Sequence, residues 1–186
     1  MHDLTPLNAL GRATPATATN GGVTLKEVPE VALASVAARL GREADTAAAL
    51  QTLTGAEAPG PGQFTGDTLI AFWMGPDQFM IEAPFDSHED IAAHVKNALG
   101  DAASVTEQTD GWTRFDIWGD RTGRVFELLC PLDLRRMTPG AAQRTRIHHL
   151  GCFVLRRTPD RFSVYGPRAS AGSLWHALHG AMIAAL

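Results

Sequence analysis

Apolar and polar residues alternate over residues 23–28 (VTLKEV), the period-two pattern of a half-buried strand. Pro29-Glu30 follows as a turn. Residues 33–39 (LASVAAR) read as a second strand or as a helix start. The strand is favoured, because Gly41 punctuates the segment and a clearer helix follows. That helix covers residues 43–53, with Ala47, Leu50 and Leu53 at helical spacing. Residues 55–66, with Pro59-Gly60-Pro61-Gly62, read as a loop. An apolar strand over 68–74, a turn at Gly75-Pro76-Asp77 and a return strand over 78–82 predict a hairpin, with Pro suited to the first central turn position. Ser87 is the expected N-cap of a helix that runs to about Leu99, with Asp90 as a weak capping partner, and Gly100 closes it.

The order then recurs. Strands over 104–109 and 112–118 flank Asp110-Gly111, a strong hairpin-turn signal. Gly119 precedes a helix over 121–129, which Cys130-Pro131 stops. Strands over 144–149 and 152–156 surround Gly151, and Thr158-Pro159-Asp160 turns the chain into a return strand over 161–165. The last helix runs from Ser170 or Ala171 to about Ala185, with Leu174, Leu178, Ala181 and Met182 on one face. Residues 1–22 are rich in Thr, Ala, Asn and Gly, lack periodicity and read as a flexible N-terminal arm.

A duplication is visible directly. Residues 76–84 (PDQFMIEAP) align without gaps to 159–167 (PDRFSVYGP), each a turn, a strand with its apolar side in the same phase, and a break before a helix. The predicted fold class is α+β: two similar strand-strand-helix-strand-strand-helix halves, about 23–100 and 103–186, forming a single domain over 23–186. Antiparallel or mixed sheets covered by helices would bury one apolar sheet face in each half.

Composition narrows the function classes. The chain has 186 residues, 45% hydrophobic and 19% charged, with a net charge of −4. Nucleic-acid and membrane-surface binders need clustered Lys and Arg, and the basic run Arg135, Arg136, Arg144, Arg146 is short and interrupted. No apolar run approaches the ~20 residues that span a bilayer. The N-terminus has no apolar core of signal-peptide type, so the expected location is cytoplasmic.

Candidate chemistry is sparse. Cys130 and Cys152 carry no CxxC or nucleophile motif and read as small buried hydrophobes. His176 and His179, three apart on a helix, lack a nearby third metal ligand, unless folding brings in Cys152 or His148. His148 and His149, read as strand residues, point to opposite faces. Gly60 and Gly62 alternate with prolines, which lack the N–H donors of a phosphate cradle. Trp73, Trp112, Trp118 and Trp175 read as core or interface anchors, with Trp112 and Trp118 on one strand face as the place for a partner.

The segment Leu129-Cys130-Pro131-Leu132-Asp133-Leu134, after Trp112–Gly119 and its helix, resembles the core of the gamma subunits of heterotetrameric sarcosine oxidases. The segments 161–165 and 173–175, with 23–29 and 75–79 in the first half, also fit that family, over roughly residues 23–186. The resemblance implies a relation to the folate-binding domain of glycine-cleavage T-proteins. It further implies a non-catalytic subunit of a complex that demethylates sarcosine oxidatively to glycine and passes the one-carbon unit to tetrahydrofolate. It implies alpha, beta and delta partner subunits, which hold FAD, FMN, NAD and zinc, and with the complex the tetrahydrofolate. This chain itself is expected to have no catalytic, cofactor-binding or metal residues. Two alternatives stand beside it. One is a stand-alone folate-binding aminomethyltransferase-like protein, with Asp116 or Asp133 as its carboxylate. The other is the equivalent subunit of a complex for another N-methyl amino acid.

Overall fold

After a short strand β1 (Thr17–Asn20), the chain runs strand, strand, helix, three strands, helix, and then repeats that order. The first pass is β2 (Val23–Glu27), β3 (Val31–Ala38), α1 (Glu43–Thr54), β4 (Phe64–Gly66), β5 (Ile70–Gly75), β6 (Gln78–Pro84) and α2 (Ile91–Leu99). The second is β7 (Ala103–Glu107), β8 (Trp112–Trp118), α3 (Thr122–Leu129), β9 (Ala142–Ile147), β10 (Leu150–Arg156), β11 (Arg161–Pro167) and α4 (Ala171–Ala185). The computed structural model describes residues 6–186. The chain forms two units, one from the residues up to Pro29 with 111–139 and 143–186, the other from 30–110 and 140–142.

The fold is α+β, with an antiparallel sheet in each unit. The five-stranded sheet has the order β4-β5-β6-β3-β7, and the six-stranded sheet the order β1-β2-β8-β11-β10-β9. Read from β9, the second sheet repeats the first, with β1 added at its far edge. The equivalence holds in register: Ala34 lies between Ile81 and Glu107, as Phe115 lies between Val164 and Glu27. The aligned segments of the duplication occupy matching strands β6 and β11. Each ends in a proline, a single 3-10 turn and the closing helix of its pass.

The units differ from the contiguous spans 23–100 and 103–186 chiefly because the passes exchange their first strands, and residues 140–142 also join the unit built on 30–110. β2, from the first pass, pairs with β8, and β7, from the second, pairs with β3. The expected hairpin around Asp110-Gly111 is therefore not formed, because β7 and β8 belong to different sheets. The N-terminal arm is also corrected in part. Thr17–Asn20 is a strand on β2, and Asn8 caps a local turn by accepting from the Leu10 and Arg12 amides. Residues 1–5 of that expected arm lie outside the described residues. Asp90, not Ser87, caps α2, accepting from the Ala93 amide at 3.1 Å.

Each sheet buries one face under helices. In the five-stranded unit, Ala32, Ala34, Val36, Ala71, Phe79 and Ile81 pack with Leu50 of α1 and Ile91, Val95 and Leu99 of α2. In the six-stranded unit, Phe162 meets Phe126 of α3 at 5.1 Å between ring centroids, and Phe115 meets Trp175 of α4 at 5.6 Å. Val23 and Leu25 of β2 are wholly buried there. Close approach is enforced at Gly119, where φ is +134° and a Cβ would stand 2.3 Å from the Gly22 carbonyl oxygen. Gly119→Ala is expected to lower unfolding free energy by about 2–3 kcal/mol in urea titrations. Gly123→Ala, in α3 with open space around its Cβ, serves as the neutral or mildly stabilising control.

Candidate functional site

Strand alternation divides β8 between two faces. Thr113, Phe115 and Ile117 point to the helices, and Trp112, Arg114, Asp116 and Trp118 point away from them. On the neighbouring β11, Ser163 stands opposite Asp116 and Tyr165 opposite Arg114, so both share that second face. These side chains converge on one buried carboxylate. Asp116 Oδ1 accepts from Arg114 Nε and from Ser163 Oγ, each at 2.7 Å. Its Oδ2 accepts from Arg114 Nη2 at 2.9 Å and from Arg161 Nη2 and Nε at 2.7 and 3.2 Å. Ser163 Oγ also accepts from Arg157 Nε at 2.9 Å, and Arg157 Nη2 donates to the Tyr165 hydroxyl at 3.1 Å.

The Asp116 side chain is 0% exposed, against 14% for Arg114 and 48% for Arg161. Burial alone pushes its pKa up. The hydrogen bonds and charge of Arg114, with Arg161 and Ser163, more than offset that and bring it down to about 2. A carboxylate so paired is ionised at neutral pH, out of contact with solvent, and has its lone pairs engaged. It is a structural anion and a poor proton acceptor. Asp133 is half-exposed and lies 3.6 Å from Arg135.

The tryptophans flank this network. Trp112 packs at 5.7 Å on Phe153, and the Arg161 guanidinium lies 5.2 Å above the Trp118 ring. Both are half-buried, so the face expected to hold a partner is already partly covered by the residues of its own unit. Trp73 packs against the core of the five-stranded unit.

A cleft of 790 Å³ opens between the start of α3, the loop after Cys130 and the turn at Pro159. Its shape depends on Arg156. Nη1 donates to the carbonyls of Leu134, at 3.0 Å, and Met137, while Nη2 donates to that of Pro159, and the guanidinium stacks 5.3 Å over Phe162. The Cys-Pro-Leu-Asp-Leu segment is thus pinned by a side chain whose donors are spent on backbone. Burial raises the Cys130 pKa, and it pushes that of Cys152 up to about 11. Burial thus favours the neutral thiol over the thiolate at both positions.

The histidines are redistributed. His148 and His149 form the turn between β9 and β10, not a strand, with His148 at φ +53°. His179 stacks on Trp175 at 6.0 Å between centroids, and His176 is exposed. Among the described residues no three His, Cys, Asp or Glu side chains come together as a metal site. Gly60 and Gly62 serve chain pairing: the Gly62 carbonyl accepts from the Ala142 amide at 2.8 Å, and Gly60 bonds with Gln63. The sequence reading missed Arg157, Arg161 and Ser163. Their one signal was Asp116 itself, an acid at a position that strand periodicity places between two tryptophans.

This duplicated pair of helix-covered antiparallel sheets, with exchanged first strands, defines a fold known from solved structures. It is that of a chain of the heterotetrameric sarcosine oxidase from Corynebacterium sp. U-96, crystallised with pyrrole 2-carboxylate, with a TM-score of 0.78, 24% identity, and 90% of this chain and 87% of that one covered. The glycine cleavage aminomethyltransferase T from Bartonella henselae matches with a TM-score of 0.59 and 15% identity, covering 83% of this chain; the match spans 44% of the aminomethyltransferase. No family model and no curated protein sequence matches significantly. Among the described residues no helix is long and apolar enough to cross a membrane.

Proposed function

We propose that the chain is a non-catalytic structural subunit, of gamma type, in a heterotetrameric sarcosine-oxidase complex that converts sarcosine to glycine and passes the one-carbon unit to tetrahydrofolate. The observation that carries this reading is the near full-length fold match, in both directions, to a chain of such a heterotetramer. The internal chemistry agrees with it. The buried ionisable network of the six-stranded unit is saturated by its own members. In this reading alpha, beta and delta subunits complete the assembly in the cytoplasm, and FAD, FMN, NAD and zinc are held there and not by this chain.

Co-expression with the large flavoprotein subunits tests it. The chain is expected to co-purify in fixed stoichiometry, while the isolated chain shows no flavin absorbance and no sarcosine turnover. A monodisperse isolated chain that turns over sarcosine, or that ignores the flavoprotein subunits, overturns the proposal.

A further inference from the structure

Strand β9 is the outer edge of the six-stranded sheet. At its start the Ala142 amide points away from the sheet, since it donates to the Gly62 carbonyl. Outward and inward amides alternate along an antiparallel strand, so Arg144 and Arg146 also present their N–H and C=O groups outward. Among the described residues no backbone bond beyond the sheet's own engages them. An open edge of this kind is a template for another strand.

Charge selects what can add there. Leu134–Cys152 contains Arg135, Arg136, Arg144, Arg146 and two histidines but no Asp or Glu, in a chain whose net charge is −4. Arg144 and Arg146 are exposed, lie on one face of β9 and have no carboxylate partner among the described residues. A depression of 600 Å³ lies along this edge, lined by both arginines, Thr145, Gly151, Pro131 and Leu132. Thr145, between them, points to the opposite face of β9 and lines the same depression as Pro131 and Leu132.

We infer that β9 is a docking edge for an extended acidic segment of a partner subunit, which adds as a further strand. Carboxylates at alternate positions meet Arg144 and Arg146, and the residue between them is apolar and packs on Pro131 and Leu132. The motif read is acidic-apolar-acidic. A second copy is disfavoured, since paired β9 edges would set arginine against arginine. A nucleic acid would meet the charges but cannot pair with the strand backbone. This inference rests on the subunit reading above.

The probe is a labelled synthetic peptide of alternating Glu and Val, measured against the full chain by fluorescence anisotropy. Binding is expected to weaken about tenfold or more in the double variant R144E/R146E. It should also weaken for a peptide N-methylated on the amides that face β9, and for one with its Glu and Val in separate blocks. Unchanged thermal melting shows that the variant is folded. Equal binding by the blocked or N-methylated peptide, or by a single-stranded oligonucleotide, overturns the inference, because charge alone would then explain it. In the assembled complex, wild type should co-purify with the large subunits and R144E/R146E should not. If both co-purify, the docking edge is wrong and the subunit reading stands. If wild type itself does not, the subunit reading fails first.

Discussion

Asp116→Asn is expected to destabilise the six-stranded unit by about 3 kcal/mol in chemical denaturation at pH 7. The substitution keeps shape and removes charge. It takes the negative charge out of a buried position that Arg114, 14% exposed, and Arg161 both contact. The same group predicts a pH dependence. Its folded pKa, about 2, lies below the 3.8 of an unperturbed aspartate side chain, so the folded state binds the proton more weakly than the unfolded chain. The stabilisation is complete above about pH 4 and is lost as the pH falls toward 2, a change of about 2 kcal/mol. Wild-type stability should show this acid limb and the Asn variant should lack it. The two magnitudes are close because protonation and substitution remove the same charge from beside Arg114 and Arg161. A variant as stable as wild type, with the same acid limb, would show that the network carries no net stability.

Local features of this fold were legible in the sequence, and long-range pairings were not. Residues 76–84 and 159–167 revealed the duplication because turn, strand phase and closing proline are set by neighbours in sequence. The hydrophobic phase of Val23, Leu25 and the buried Glu27 announced a strand, but nothing in it specified Ile117 as the neighbour of Leu25. Asp110-Gly111 is a strong local turn signal, and it misled for that reason: the flanking strands are drawn to different sheets by burial. β1 gave no signal, since its Thr and Asn residues sit at an edge and are held by pairing with β2. The site was legible only as an oddly placed acid. Arg157 and Arg161 look like solvent positions until β11 is set beside β8, which brings Arg161 to Asp116 across the sheet.

The strand exchange makes the second large prediction. A chain cut between Asp101 and Ala102 separates each sheet from a strand it uses. The fragment 102–186 keeps β8 to β11 but loses β2, with Val23 and Leu25 at 0% exposure and Glu27 at 1%. It also loses β1, so β8 becomes an open edge with Phe115 and Ile117 uncovered on that side. The fragment 1–101 keeps β3 to β6 but loses β7 and the wholly buried Ala103. Losing Val23 and Leu25 alone removes about 3–5 kcal/mol of apolar burial, a large part of what a domain of this size holds in reserve. The fragment 102–186 is therefore expected to give the circular dichroism of an unfolded or molten chain. Mixed in equal amounts with 1–101, it should recover native-like spectra and one cooperative transition, since each fragment carries the strand the other lacks. Two contiguous repeats would behave otherwise, each fragment folding by itself and gaining nothing on mixing. Independent, cooperative folding of 102–186 would show that β2 is dispensable to its sheet, against the register of Thr24 to Glu27 on Trp118 to Phe115.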